Sequence, residues 1–279
     1  MALDQVDVDK PPKKRGLSGE MTFLDHLEAL RWHLVRSVIA IAVIAIGTFL
    51  AKDFVFNVIL FGPRNPDFIT YRVFCSISDA ICFQPPAFQI ITRDLAEKFM
   101  VHFKSSFILG FVLSFPYIFW EIWRFIKPAL YEKEQKAATG VVFICSLLFL
   151  SGVLFGYYII APFSISFLAG YELGDIQATP TLSSYVNYMA MFTIPLGLVF
   201  EMPIVIYFLS RVGLVSPGLM KKSRKMAFVV ILLVSAIITP TTDAITLLIV
   251  TIPLYGLYEL SIVVSARAEK HYLKSNIED

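Results

Sequence analysis

AATGVVFICSLLFLSGVLFGYYIIAPFSISFL, residues 137–168, runs through thirty-two positions without one charged side chain. About 20 apolar residues span a bilayer, and a helix hydrophobic all round lies in a large core or a membrane; a 279-residue chain that is 57% hydrophobic offers no aqueous core able to hide it. Lipid is therefore part of this chain's solvent. The stretch is longer than one straight crossing needs. Its outer part, beyond Pro162, is expected to kink or to project into the headgroups.

Five further apolar segments lie outward from it, at about 34–50, 105–122, 188–212, 226–238 and 244–265. Residues are 57% hydrophobic and 16% charged, against about 25% charged in soluble domains. Mean hydropathy is +0.70. These values exclude a soluble globular protein. They predict one all-α integral membrane domain over residues 1–279 with six transmembrane helices. The fifth span is short: thirteen residues rise only about 20 Å, against about 30 Å of hydrocarbon. Thr239-Pro240-Thr241-Thr242-Asp243 ends it, and the sixth span is expected to be short as well. Prolines at 116, 162, 195, 203 and 253 punctuate four spans. Each removes a backbone donor and bends its helix, so the helices are expected to surround a concave surface.

Charge sets the expected orientation. Eighteen of the 24 Lys and Arg residues fall in the N-terminal segment, the second and fourth connections and the C-terminal tail. The positive-inside rule puts these, and both termini, in the cytoplasm. Residues 1–20 read as a flexible cytoplasmic tail, with no signal-peptide core. Residues 51–104 then form a long external loop, with a short helix expected around Thr92–Met100. Cys75 and Cys82 in that loop are candidates for a disulfide, because an external space is oxidising. Cys145 reads as an apolar packing residue. No Cys and His spacing suggests a metal, and no cofactor or nucleic-acid partner is expected.

Ionisable residues within spans point to function. Glu201 lies deep in the fourth, at a cost of about 2.5–3.5 kcal/mol if charged. It is a candidate for carrying protons, binding an ion or bonding a partner helix. Glu259 is nearer the cytoplasmic end of the sixth span and suits local pairing. On the cytoplasmic side Asp25, Glu28, Glu121, Glu132 and Glu134 sit among basic residues. Carboxylates there can read an arginine pair, since guanidinium and carboxylate pair bidentately. An ion-coupled transporter of small solutes using Glu201 is the alternative, but no internal repeat accompanies it. His26, His33, His102 and His271 all fall at or outside the span edges, which disfavours an enzyme.

Several stretches resemble the TatC family, the core of the twin-arginine protein translocase. His26-Leu27-Glu28-Ala29-Leu30-Arg31 looks like the family's HLxELR signature. Residues 123–134, WRFIKPALYEKE, are similar to its WxFxxPALYxxE loop. Phe155-Gly156-Tyr157-Tyr158, Phe200-Glu201-Met202-Pro203, Thr239-Pro240 and Ile252-Pro253-Leu254-Tyr255 follow in the same order. The resemblance implies a glove-shaped receptor in the inner membrane. It binds twin-arginine signal peptides of folded precursors and recruits single-span TatA/TatB-type subunits and further TatC copies. Export is then driven by the proton-motive force. The peptide-contacting glutamate falls on Glu134 and the supporting aromatic on Phe125, with Glu28, Leu30, Arg31 and Pro128 around them. Glu201 falls in the family's intramembrane polar patch, with Glu259 as a second such acid. Ala29 departs from the pattern, because the family usually has Glu there, and Glu28 points about 100° away on a helix. Leu247 stands where the family often has Gln.

Overall fold

The computed structural model describes residues 23–79, 82–126, 140–171, 179–239 and 244–278. Helix α1, Phe23–Leu50, already includes the expected pre-span residues 26–31, so the first crossing and its approach are one rod. After a turn at Ala51, residues 52–64 form short helical pieces, among them a π turn at Val55–Leu60, and α2 follows at Ile69–Ile77. Helix α3 is Glu97–Ile126. The separate short helix expected near Thr92–Met100 is therefore absent. Its second half is the first turn of α3, which begins eight residues before the apolar run. Hydropathy hides this start because Lys98, His102 and Lys104 are polar, yet these side chains sit on a helix. Lys104 Nζ donates to Asn187 Oδ1 at 2.5 Å, and the His102 ring nitrogen lies 3.0 Å from the Phe49 carbonyl.

The uncharged stretch is helical from 141 to 170. It comprises α4, Val141–Phe155, a π turn at Gly156–Ile160, and α5, Ala161–Gly170. Pro162 thus falls just beyond a π turn, in keeping with a widened ladder where a backbone donor is missing. The carbonyl four residues before Pro162, that of Tyr158, accepts instead from the Thr70 hydroxyl. The fourth span is broken in two, α6 at Leu182–Phe200 and α7 at Met202–Arg211, with Glu201 at the break and Pro203 just after it. Gly213, with φ 79°, ends α7. Helix α8, Pro217–Lys222, is capped by the Ser216 side chain. Helix α9, Arg224–Ile238, has 15 residues and is the short fifth span. Helix α10 runs Ala244–Glu278, 35 residues, so the sixth is not short. Its apolar part ends near Ser265 as expected, and good helix formers among its polar residues carry it onward.

Five of these helical runs are long and apolar enough to cross a membrane, and α9 is too short to do so alone. Helices α1 and α3 lie antiparallel: His33 meets Glu121 at one end, Ala45 meets Gly110 midway, and Phe49 meets His102 at the other. Helix α4 and the π turn after it cross α6 where Gly152, Gly156 and Gly197 let the backbones touch. Helix α10 packs on α7 and α9, with Ser210 and Ser265 bonded at 2.7 Å.

The segment between α1 and α2 is fastened to the bundle by tyrosines. Pro63 has no N–H to give the Ile59 carbonyl, and Tyr157 donates to it at 2.7 Å. The Arg64 N–H goes to Phe61, and Tyr185 donates to the Leu60 carbonyl at 2.8 Å. Tyr71 donates to the Pro63 carbonyl at 2.6 Å. Burial pushes the Tyr71 phenol up to about 12, which keeps it a donor at any ordinary pH. Cys75 and Cys82 are joined by a disulfide in the same region. Tyr185→Phe should lower stability by roughly 1–3 kcal/mol, because it strands a buried carbonyl. A thermal midpoint in detergent equal to wild type would show that this tether carries no weight. The tethered segment and residues of α3, α4 and α6 together line a cavity of about 700 Å³.

Candidate functional site

Two places hold ionisable groups that the packing cannot ignore. The first is the end of the α1–α3 pair that carries the N-terminal segment. Glu121 lies inside α3 rather than in the basic connection that follows it, and only 1% of it is exposed. The phase of α3 explains this, since Ser106, Gly110, Ser114, Phe115 and Glu121 all lie on buried positions of that helix. One carboxylate oxygen is 2.5 Å from His33 Nδ1, and the other accepts from Tyr117 at 2.9 Å. Arg36 reaches to 3.9 Å and stays half exposed. His33, Arg36 and Ser37 share one face of α1, three and four residues apart, and the Ser37 hydroxyl donates to the His33 carbonyl. The Phe125 ring stands edge-on to His33 with centroids 6.0 Å apart.

Of the residues read as peptide-binding, Glu28, Leu30 and Arg31 are exposed on α1, and Phe125 is half-buried at the end of α3. The structure brings Phe125 to His33 but gives Glu28 no partner role in that network. Glu134, Glu132 and Pro128 lie outside the described residues. The pairing of His33 with Glu121 was missed in the sequence. A signal was available: Tyr117 and Glu121 stand one helical turn apart among apolar neighbours, as do His33 and Ser37.

The second place is the break in the fourth span. Helix α6 stops at Phe200, and the Glu201 N–H is given to the Leu198 carbonyl in a tighter turn. Pro203 cannot continue the α6 ladder, so the chain restarts as α7. Glu201 is 9% exposed, and both carboxyl oxygens are buried without a hydrogen-bond partner of ordinary geometry. The Cys145 thiol and the Phe149 backbone of α4 are its nearest polar company. Cys145 is fully buried, as a packing residue would be. Glu259 is settled differently: it accepts from Arg224 at 2.8 Å and from Tyr255 at 3.2 Å, bracing α9 against α10. No hydrogen bond joins the two acids. Among the described residues no cluster of His, Cys, Asp and Glu is placed to hold a metal.

The whole arrangement has counterparts. The family model for TatC, the Sec-independent protein translocase protein, matches residues 25–253. The chain belongs to the TatC family. The Sec-independent protein translocase protein TatC of Blattabacterium sp. subsp. Periplaneta americana (strain BPLAN) is 40% identical over 262 residues, covering 90% of this chain and 97% of the relative. TatCy of Bacillus subtilis (strain 168) is 33% identical over 262 residues, covering 93% and 94%. A solved structure described as the crystal structure of the twin arginine translocase receptor TatC superposes with a TM-score of 0.66 at 32% identity. It covers 87% of this chain and 99% of that one. A second, of the same receptor in DDM, gives 0.68. As a TatC-family chain with five long apolar helices, this is a multi-pass membrane protein of the Sec-independent translocase.

Proposed function

We propose that this chain is the twin-arginine receptor of its translocase. It binds signal peptides of folded precursors at the cytoplasmic face of the inner membrane and then gathers single-span TatA/TatB-type subunits and other TatC copies. The observation that carries the reading is the match, over 99% of its length, to a chain described as the twin arginine translocase receptor. Charge distribution supports the orientation, with both termini cytoplasmic: 18 of the 24 basic residues gather on the ends expected to face inward.

Glu134 grips the arginine pair. Phe125, Leu30 and Pro128 give the peptide apolar support, and Glu28 and Arg31 complete the charged surface of α1. Glu201, buried at a helix break and without a hydrogen-bond partner of ordinary geometry among the described residues, is the docking acid for an incoming helix. Glu259 fixes the short hairpin beside it through Arg224. The proton-motive force drives the later steps. No covalent chemistry is assigned to the chain. The same buried acid suits an ion-coupled transporter less well, because such a site needs further polar groups converging on it. Here its surroundings are the thiol of Cys145 and a backbone.

Glu134→Ala tests the reading. It should abolish cross-linking to a twin-arginine precursor, a fall of at least about tenfold for a lost charge-assisted pair, and leave membrane insertion unchanged. Unchanged cross-linking would remove Glu134 from recognition.

A further inference from the structure

Glu121 is an acid buried between α1 and α3. A buried carboxylate is costly unless it is paired, and a pair meant only to lock two helices is best made by a guanidinium in bidentate contact. An arginine is at hand, yet Arg36 stands 3.9 Å away and half exposed. The close donor is the His33 imidazole, itself 16% exposed and therefore at the edge of solvent. His33 can leave by rotation of its side chain; Tyr117, on the same helix as Glu121, holds the other oxygen in place. Ala29, one turn before His33 on the same face of α1, brings no carboxylate and little bulk. Phe125 flanks the position.

We infer that Glu121 is a carboxylate that receives one guanidinium of the arriving arginine pair, with His33 as the occupant the cargo displaces. The inference rests on the receptor reading above and adds a residue to it. Exchange of one nitrogen donor for another means the buried acid is never left alone, so entry of the arginine carries no desolvation penalty for an unpaired carboxylate. A guanidinium offers two parallel N–H bonds to the vacated oxygen and its neighbour; an ammonium offers a point charge. Discrimination against a Lys-Lys signal follows from that geometry.

The test measures binding of a precursor with Arg-Arg or Lys-Lys in its signal to the full chain in native membranes. Glu121→Gln keeps size and the Tyr117 contact but removes the charge. The expected result is binding of the Arg-Arg form weakened about tenfold or more, with the gap to the Lys-Lys form narrowed. Ala29→Glu added to Glu121→Gln should regain most of the loss, because it returns a carboxylate to the same face. Wild-type affinity in Glu121→Gln, or no recovery in the double variant, would overturn the assignment and leave the receptor reading standing. A wild-type chain that does not distinguish the two signals would remove both. Should Glu121→Gln not accumulate, a photoreactive residue at Ala29 in the otherwise unaltered chain decides the matter. An adduct with the arginine segment that vanishes for Lys-Lys supports the inference, and absence of that adduct overturns it.

Discussion

Replacing Gly156 with alanine should prevent this protein from accumulating as a folded chain. A Cβ at that position would stand 2.1 Å from the Phe192 carbonyl oxygen, 2.9 Å from its carbon and 3.0 Å from the Thr193 Cα. All three are backbone atoms, so no rotamer change relieves the clash. The π turn and α6 would have to separate where they are closest, and the neighbouring positions are close too, with a Cβ at Gly152 2.7 Å and at Gly197 2.8 Å from the nearest atoms. Overpacking of a single side chain costs about 1–3 kcal/mol when neighbours can adjust, and here they cannot. In membranes, close small-residue contact is itself the main attraction between helices, so the loss is double. Gly47→Ala is the control: a Cβ there meets nothing within 4 Å, and alanine should gain up to about 1 kcal/mol in helix propensity. Thermal midpoints in detergent separate the two. A Gly156→Ala chain as stable as wild type would mean that α4 and α6 cross elsewhere.

The second large effect is expected at Glu201, and its sign differs between the isolated chain and the complex. Both oxygens are buried without a hydrogen-bond partner of ordinary geometry among the described residues, so removing them gives up at most weak contacts with the Cys145 thiol and the Phe149 backbone. Glu201→Ala should therefore leave the thermal midpoint of the isolated chain unchanged or slightly raised. Recovery of single-span partners with the chain after precursor binding should fall at least about tenfold, since a carboxyl bonded across a helix interface is lost. Precursor cross-linking itself should persist. A variant that exports normally would take Glu201 out of the mechanism. One that merely unfolds would make it a structural acid.

Much of this is legible in the sequence, and for identifiable reasons. The uncharged run at 137–168 and the thirteen residues of the fifth span are long-range hydropathy signals, which burial does not blur. Pro203 predicts a bend in the fourth span; the structure shows a full break, and it falls at Glu201, two residues before the proline. What stayed hidden depends on contacts between segments distant in sequence. Lys98, His102 and Lys104 look like loop because they are polar, but Asn187 and the Phe49 carbonyl satisfy two of them across helices. Glu121 looks like loop because Arg124 follows and the basic connection begins, but His33, 88 residues away, draws it inward. The length of α10 was understated because a hydropathy window ends where charge begins, and a helix does not. The π turns at Val55–Leu60 and Gly156–Ile160 accompany prolines whose orphaned carbonyls find hydroxyls elsewhere in the chain.

The most direct measurement is site-specific cross-linking between Phe125 and a folded precursor, made once with both signal arginines and once with lysines in their place. Recognition by carboxylates at this end of α1 and α3 predicts a strong adduct in the first case and its loss in the second. An adduct of equal yield from both precursors would contradict it.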